Sequence, residues 1–191
     1  MSLFQLGVMF LILFLLLVMS ILVGYFLIQG VCTVPWIRTR RSICRRMLEL
    51  GGFKSGESIL DLGSGDGSIV LEAVAMGGEG IGIERLGLLV WYARLRARIQ
   101  NAQGRALFIR GDILKDPIPQ ASHVACYLFT EVNKELEPRL QASLPVGTRV
   151  VSRDFTFPNL RKIESQRFGR STLHVYEIWS LSDSTTQPLN D

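Results

Sequence analysis

The chain opens on an apolar run and then changes character. Between Leu3 and Ile28 the run is broken only by Gln5, Ser20 and the glycines, and no side chain from Met1 to Ile37 is charged. About 20 such residues suffice to cross a bilayer. Residues 1–30 therefore predict one N-terminal transmembrane helix. A cleaved signal peptide would show basic residues ahead of a shorter apolar core and a small-residue cleavage site, and neither is present.

Beyond this run the pattern alternates. Residues 39–50 place Ile43, Met47, Leu48 and Leu50 at helical spacing, and Gly51-Gly52 stops the helix. Strand-like runs follow at "SILDL" (58–62), "GIGIE" (80–84), "ALFIR" (106–110), "HVACYLF" (123–129) and "TRVVSR" (148–153). Helical segments at 67–76, 86–102 and 131–143 lie between most of them. That rhythm predicts βαβ units with right-handed crossovers. The last runs, in "LRKIESQRFGRSTLHVYEIWSL", flank Phe168-Gly169 with no helix between them and predict an antiparallel hairpin. The fold expected is α/β: a Rossmann-like, doubly wound, mostly parallel seven-stranded sheet closing on that hairpin. We divide the chain into an anchor (1–30), a basic juxtamembrane segment and helix (31–52), the α/β domain (53–182) and a polar, disordered tail (183–191).

Charge refines this picture at one place. "WIRTRRSICRR" sets Arg38, Arg40, Arg41, Arg45 and Arg46 behind Trp36 at the membrane exit. Setting those five aside leaves 16 basic residues of the 21 against 17 acidic ones, a net charge of −1. The high pI thus reads as a property of the membrane flank, with the arginines on anionic headgroups. A near-neutral domain argues against a nucleic-acid partner. Positive-inside bias puts the domain in the cytoplasm, at a bacterial inner membrane or, in a eukaryote, a mitochondrial one. Cys32, Cys44 and Cys126 are scattered, with no CxxC and only His123 and His174 as further soft ligands. This spacing excludes a zinc site and a disulfide framework.

The chemistry gathers at the strand ends. In "ILDLGSGDGSIV", Gly63, Gly65 and Gly67 follow the first strand and open the first helix, where a backbone without Cβ lets a ligand approach helix N–H groups. A dinucleotide fingerprint would need glycine at 68, which is Ser68. Asp61, two residues before the first glycine, suits a cationic ligand. S-adenosylmethionine carries an ammonium and a sulfonium. Glu84 ends the second strand, where a bidentate acceptor can hold ribose hydroxyls, and Asp112 after the third can accept from an adenine amino group. Ser64 and Ile113 complete the expected cofactor-binding set. Capping or turn duty is the alternative for Glu84 and Asp112.

"DLGSGDG", "GIGIE", "RGDI" and "ACYLF" resemble the motifs of class I, seven-β-strand S-adenosylmethionine-dependent methyltransferases, over roughly residues 34–181. "VPWIRTRRSICRRMLEL" and "LQASLPVGTRVVSRDFTFPNL" resemble a short membrane-anchored branch that includes the lysine methyltransferases of the adenine nucleotide translocator and of the ATP synthase c-ring protein, with bacterial relatives. That branch usually has Arg in place of Ser68, Asn-Pro in place of Leu86-Gly87 and Pro in place of Thr130. The resemblance implies methylation of a lysine in a membrane-associated protein. Methylation of a lipid, quinone or other small molecule, or a cofactor-binding membrane interaction protein without turnover, stays open. Methyl transfer from a sulfonium is an in-line displacement that asks mainly for alignment. Glu131, after the fourth strand, and Asp154, after the fifth, are the carboxylates placed to orient an amine or take its proton. For both, a helix-terminal or loop acid is the competing reading.

Overall fold

The computed structural model describes residues 3–31 and 37–179; Cys32, Trp36 and the tail at 183–191 lie outside them. The chain divides into two compact units, Met1–Ile37 and Arg38–Asp191. The first contains helix α1, Leu3–Val31. Its segment Phe4–Tyr25 is long and apolar enough to cross a membrane, and none of that stretch is buried within the protein.

The second unit begins with α2, Arg41–Leu50, which packs its Cys44, Met47 and Leu48 into the α/β core. The residues 31–52, which the sequence pattern sets apart from the domain, thus include a helix that belongs to its core. Two βα steps and a third strand follow: β1 Ser58–Leu62, α3 Ser68–Ala75, β2 Glu79–Glu84, α4 Gly87–Ile99 and β3 Ala106–Arg110. Then come β4 His123–Cys126, α5 Thr130–Ser143 and β5 Arg149–Arg153, and finally the hairpin β6 Arg161–Phe168 and β7 Ser171–Glu177. All seven strands form one sheet in the order β3-β2-β1-β4-β5-β7-β6. The pairings from β3 across to β5 are parallel, and β7 runs antiparallel to both β5 and β6.

The order reverses direction between β1 and β4, neighbours whose connections lead opposite ways. Such a switch point opens a crevice at the carboxyl ends of the strands, and ligands of open α/β sheets bind there. Two elements differ from those expected, the first of them at that edge. β4 leaves the ladder at Cys126, whose partner Ser152 is the last residue β5 offers it, so Tyr127–Phe129 form part of the rim instead of the strand. The helix expected to 102 ends at Ile99, where the chain turns through Asn101 at φ +51°.

Candidate active site

The glycine loop is built by backbone bonds from both sides. The N–H groups of Gly63 and Ser64 donate to the Ile83 carbonyl at 2.9 and 3.0 Å, tying the loop to the end of β2. Gly67, at φ +75°, caps α3 and leaves no room for a side chain: a Cβ there would stand 2.5 Å from the Phe108 ring. Gly63 is also left-handed, at φ +78°, and faces open space apart from Leu128. Below the loop, the buried Asp66 carboxylate accepts from the Ser68 hydroxyl at 2.7 Å and pairs with Arg96 of α4 at 2.6 Å and Arg38 at 3.1 Å. Sequence reasoning missed this pin, although its signal, an acid between two loop glycines, stands in the chain. Arg96 also reaches the Ser68 hydroxyl at 3.0 Å, so α4 delivers a guanidinium to the place where the resembled branch carries arginine in the loop.

Asp61, at the end of β1, is 3% exposed. Burial first, then the negative charges of Glu84 and Asp66, push its carboxyl up from 3.8 to about 8. A carboxylate that is costly to ionise alone is a strong seat for a cation. Glu84 is half-buried, and its two oxygens accept from the N–H groups of Gly65 at 3.0 Å and Leu86 at 2.9 Å. Each oxygen keeps a lone pair for a further donor. The Ser64 hydroxyl is buried against Gly82 of β2 with no hydrogen-bond partner among the described residues. Asp112 follows β3, where its carboxylate accepts from the Leu114 N–H at 3.0 Å while its own N–H donates to Asp116 at 2.7 Å. The Ile113 carbonyl accepts from Arg139 at 2.7 Å. Asp61, Glu84 and Asp112 thus stand at the carboxyl ends of three adjacent strands, in the order the sheet sets. A buried carboxylate awaiting a cation, a half-satisfied glutamate, an orphaned hydroxyl and a loop open to close approach fit S-adenosylmethionine.

The two rim carboxylates differ. Glu131 lies exposed in the first turn of α5 and forms no hydrogen bond or ion pair among the described residues. Asp154, left-handed at φ +63°, accepts from the Thr172 N–H at 2.8 Å and the Ser171 hydroxyl at 3.2 Å and pairs with Arg153 at 3.2 Å. Its bonds fasten β5 to the start of β7. Beside them stands an aromatic wall that sequence reasoning did not assemble. Tyr127 stacks on Phe155 with centroids 5.8 Å apart, Phe129 meets Phe155 edge-on at 5.1 Å, and Arg153 lies 4.2 Å over the Tyr127 ring. Both histidines are packed. His123 bonds the Gly51 carbonyl at 3.2 Å and His174 contacts Ser165, and burial holds both below their ordinary range. Burial pushes the Cys44 and Cys126 thiols up to about 12, so neither is a ready nucleophile. Among the described residues no cluster suited to a metal ion occurs.

The membrane-flank arginines also find partners within the domain. Arg38 is held by Asp66, Arg41 and Arg45 by the buried Glu72 at 2.6 and 3.4 Å, and Arg46 by Gln166 at 2.9 Å. Of the five, Arg40 alone makes no side-chain hydrogen bond or ion pair among the described residues. Glu49 pairs with Arg45 and Arg46 within α2, whereas Asp66 and Glu72, which meet Arg38, Arg41 and Arg45, lie 27 residues or more further along the chain, where the local pattern does not reveal them.

Residues 61–164 match the family model of the ANTKMT methyltransferase domain. The chain belongs to this family. It is 33% identical over 128 residues to a protein-lysine N-methyltransferase of Saccharolobus islandicus, spanning 64% of this chain and 77% of that one. It is also 33% identical to a Rattus norvegicus lysine N-methyltransferase named for the C component of ATP synthase, over 63% of this chain but only 56% of the rat protein. Among solved structures, the RNA methyltransferase of Salinibacter ruber in complex with S-adenosyl-L-homocysteine aligns with a TM-score of 0.73 and 32% identity, covering 81% of this chain and 98% of that one. The protein is an S-adenosylmethionine-dependent methyltransferase of class I.

Proposed function

We propose that this methyltransferase modifies lysine side chains of a protein acceptor at a membrane to which α1 anchors it. The observation that carries the reading is the family match over residues 61–164, which takes in every strand-end acid described above and whose relatives include named lysine N-methyltransferases. In this reading Asp61 receives the cofactor's ammonium, Glu84 its ribose hydroxyls and Asp112 its adenine amino group, with Gly63, Ser64, Gly65, Gly67 and Ile113 forming the walls. The bound cofactor supplies a methyl group on a positive sulfur.

The chain's own contribution is alignment. A lysine amine near pKa 10.4 is neutral in only about 1 molecule in 2,500 at pH 7. Entry beside a positive charge lowers that pKa and favours the nucleophilic form. The nitrogen lone pair forms the N–C bond as the C–S bond breaks in line with it, and the surplus proton then leaves to a carboxylate or water. Glu131, the free carboxylate at this edge, suits that task better than the committed Asp154. The Tyr127, Phe129 and Phe155 rings suit an alkylammonium, since aromatic faces attract cations within about 6 Å. Arginines on anionic lipid and a cytoplasmic domain remain the proposed setting, with Arg38, Arg40, Arg41 and Arg45 still exposed for headgroups.

The Salinibacter ruber protein favours a second reading, with RNA as acceptor. One experiment separates the two. Membranes and total RNA from the source cells are incubated with the full-length protein and methyl-tritiated S-adenosylmethionine. Label resistant to nuclease and recovered as methylated lysine supports our reading. Label lost with RNA, or extracted with lipid, refutes it.

A further inference from the structure

The 27 residues from Arg85 to Gly111 contain six arginines and no lysine, aspartate or glutamate. They form α4, the turn after it and the edge strand β3. Helix α4 buries Val90, Ala93 and Ala97 against the core. On its opposite side Leu88 is 71% exposed, Trp91 60% and Ile99 72%, with Tyr92 and Leu95 on the same line. At 1.5 Å per residue and 3.6 residues per turn, these positions make a continuous stripe about 16 Å long. Arg98 runs along it and Arg105 follows it, while the Arg110 side chain lies at its start, 3.6 Å from where a Gly87 Cβ would stand. Arg98, Arg105 and Arg110 have no ion-pair partner among the described residues. Arg94 and Arg96, by contrast, are fixed on the Phe108 carbonyl and on Asp66.

We propose that the outer face of α4 rests on an anionic bilayer surface. Contiguous exposed apolar residues mark interaction sites, and aliphatic side chains beside tryptophan and unpaired arginines match the boundary between acyl chains and acidic headgroups. The inference rests on the membrane reading of α1. Positions 32–40 span at most about 30 Å when fully extended, so an anchored domain stays within reach of the bilayer. An RNA strand would neutralise the arginines but leave Leu88 and Ile99 in water. Because α4 starts directly after Leu86, two residues beyond Glu84, docking it brings the carboxyl end of β2 close to the membrane surface.

The test uses the full chain reconstituted into phosphatidylcholine–phosphatidylglycerol vesicles with brominated acyl chains. Comparison of wild type with Trp91→Phe isolates the emission of Trp91, and unchanged cofactor affinity verifies the variant's fold. Bromine should quench a Trp91 component that Arg98→Gln, Arg105→Gln and Arg110→Gln progressively release, each lowering the docked equilibrium about fivefold. High salt should release it too. Vesicle-bound protein whose Trp91 is unquenched and open to iodide overturns the inference while leaving the anchor intact. Trp91 shielded only after RNA is added, or only as protein crowding rises, assigns the face to nucleic acid or to a second copy and equally overturns it. Failure of the chain to fractionate with vesicles overturns the inference and the anchor together.

Discussion

Asp61 concentrates the chemistry of the site in one residue. Its carboxyl, ordinarily near 3.8, is pushed up to about 8 by burial and by its acidic neighbours. A raised acid pKa means the folded state binds the proton more strongly than the unfolded chain, so this contribution to stability is present in acid and is lost as pH rises from about 4 to about 8. Denaturant titrations of the cofactor-free protein should show that decline, and Asp61→Asn should flatten it. S-adenosylmethionine needs the ionised form. Its affinity should therefore rise with pH through the same upper limit in the wild type and stay low in Asp61→Asn, as followed by equilibrium dialysis. An affinity that falls across this range would remove the ammonium contact. The strand-end acids were legible in the sequence because each follows an apolar run and meets a turn. Tyr127, Phe129 and Phe155 were not, since an aromatic in "HVACYLF" reads as more strand until the ladder's end is known.

Among the elements, α2 and α3 carry the clearest surprise. Glu72, 3% exposed in α3, is matched by Arg41 and Arg45 of α2. Replacing both arginines with glutamine strands a buried carboxylate. Removing a partner from a fully buried pair costs about 3–5 kcal/mol, and the solvent around these arginines reduces the expected loss to about 1–3 kcal/mol. Chemical denaturation of the double variant measures it, and restoration by Glu72→Gln in the same background would identify the stranded charge as the cause. Unchanged stability would mean that α2 is held by Cys44, Met47 and Leu48 alone. Strand and helix positions were readable because periodicity and glycine stops agree. Pairing between α2 and α3 was not, because period says which face is apolar and nothing about which distant acid meets a basic one.

At the scale of the molecule, summed charge concealed its distribution. The domain is near neutral in total, yet the six arginines of residues 85–111 meet no acid within that segment. Only the fold, by placing α4 and β3 at one end of the sheet, turns that segment into a face. The parallel βαβ units and the terminal hairpin were visible beforehand, but the strand order, with β1 beside β4 and β7 between β5 and β6, was not, because periodicity says nothing about which strands become neighbours. Exchanging residues 1–30 for an unrelated single-pass anchor of the same orientation should retain methylation of the natural acceptor in membranes, while a chain beginning at Thr33 should keep cofactor affinity and lose most of it, because tethering replaces a bulk search with a local one. Equal rates for the truncated and full-length proteins at matched concentration would reduce α1 to a means of localisation.

The strand-end carboxylates carry the assignment of the cofactor, and calorimetric titration of the full-length protein with S-adenosylmethionine reaches them most directly. Loss of a hydrogen bond to a charged acceptor costs about 1.5–3 kcal/mol. Glu84→Ala should therefore keep the fold, checked by circular dichroism, and bind about tenfold to 150-fold more weakly than the wild type, while NAD gives no heat with either. Equal affinity in wild type and Glu84→Ala, or tight binding of NAD, would contradict the assignment of this edge of the sheet to S-adenosylmethionine.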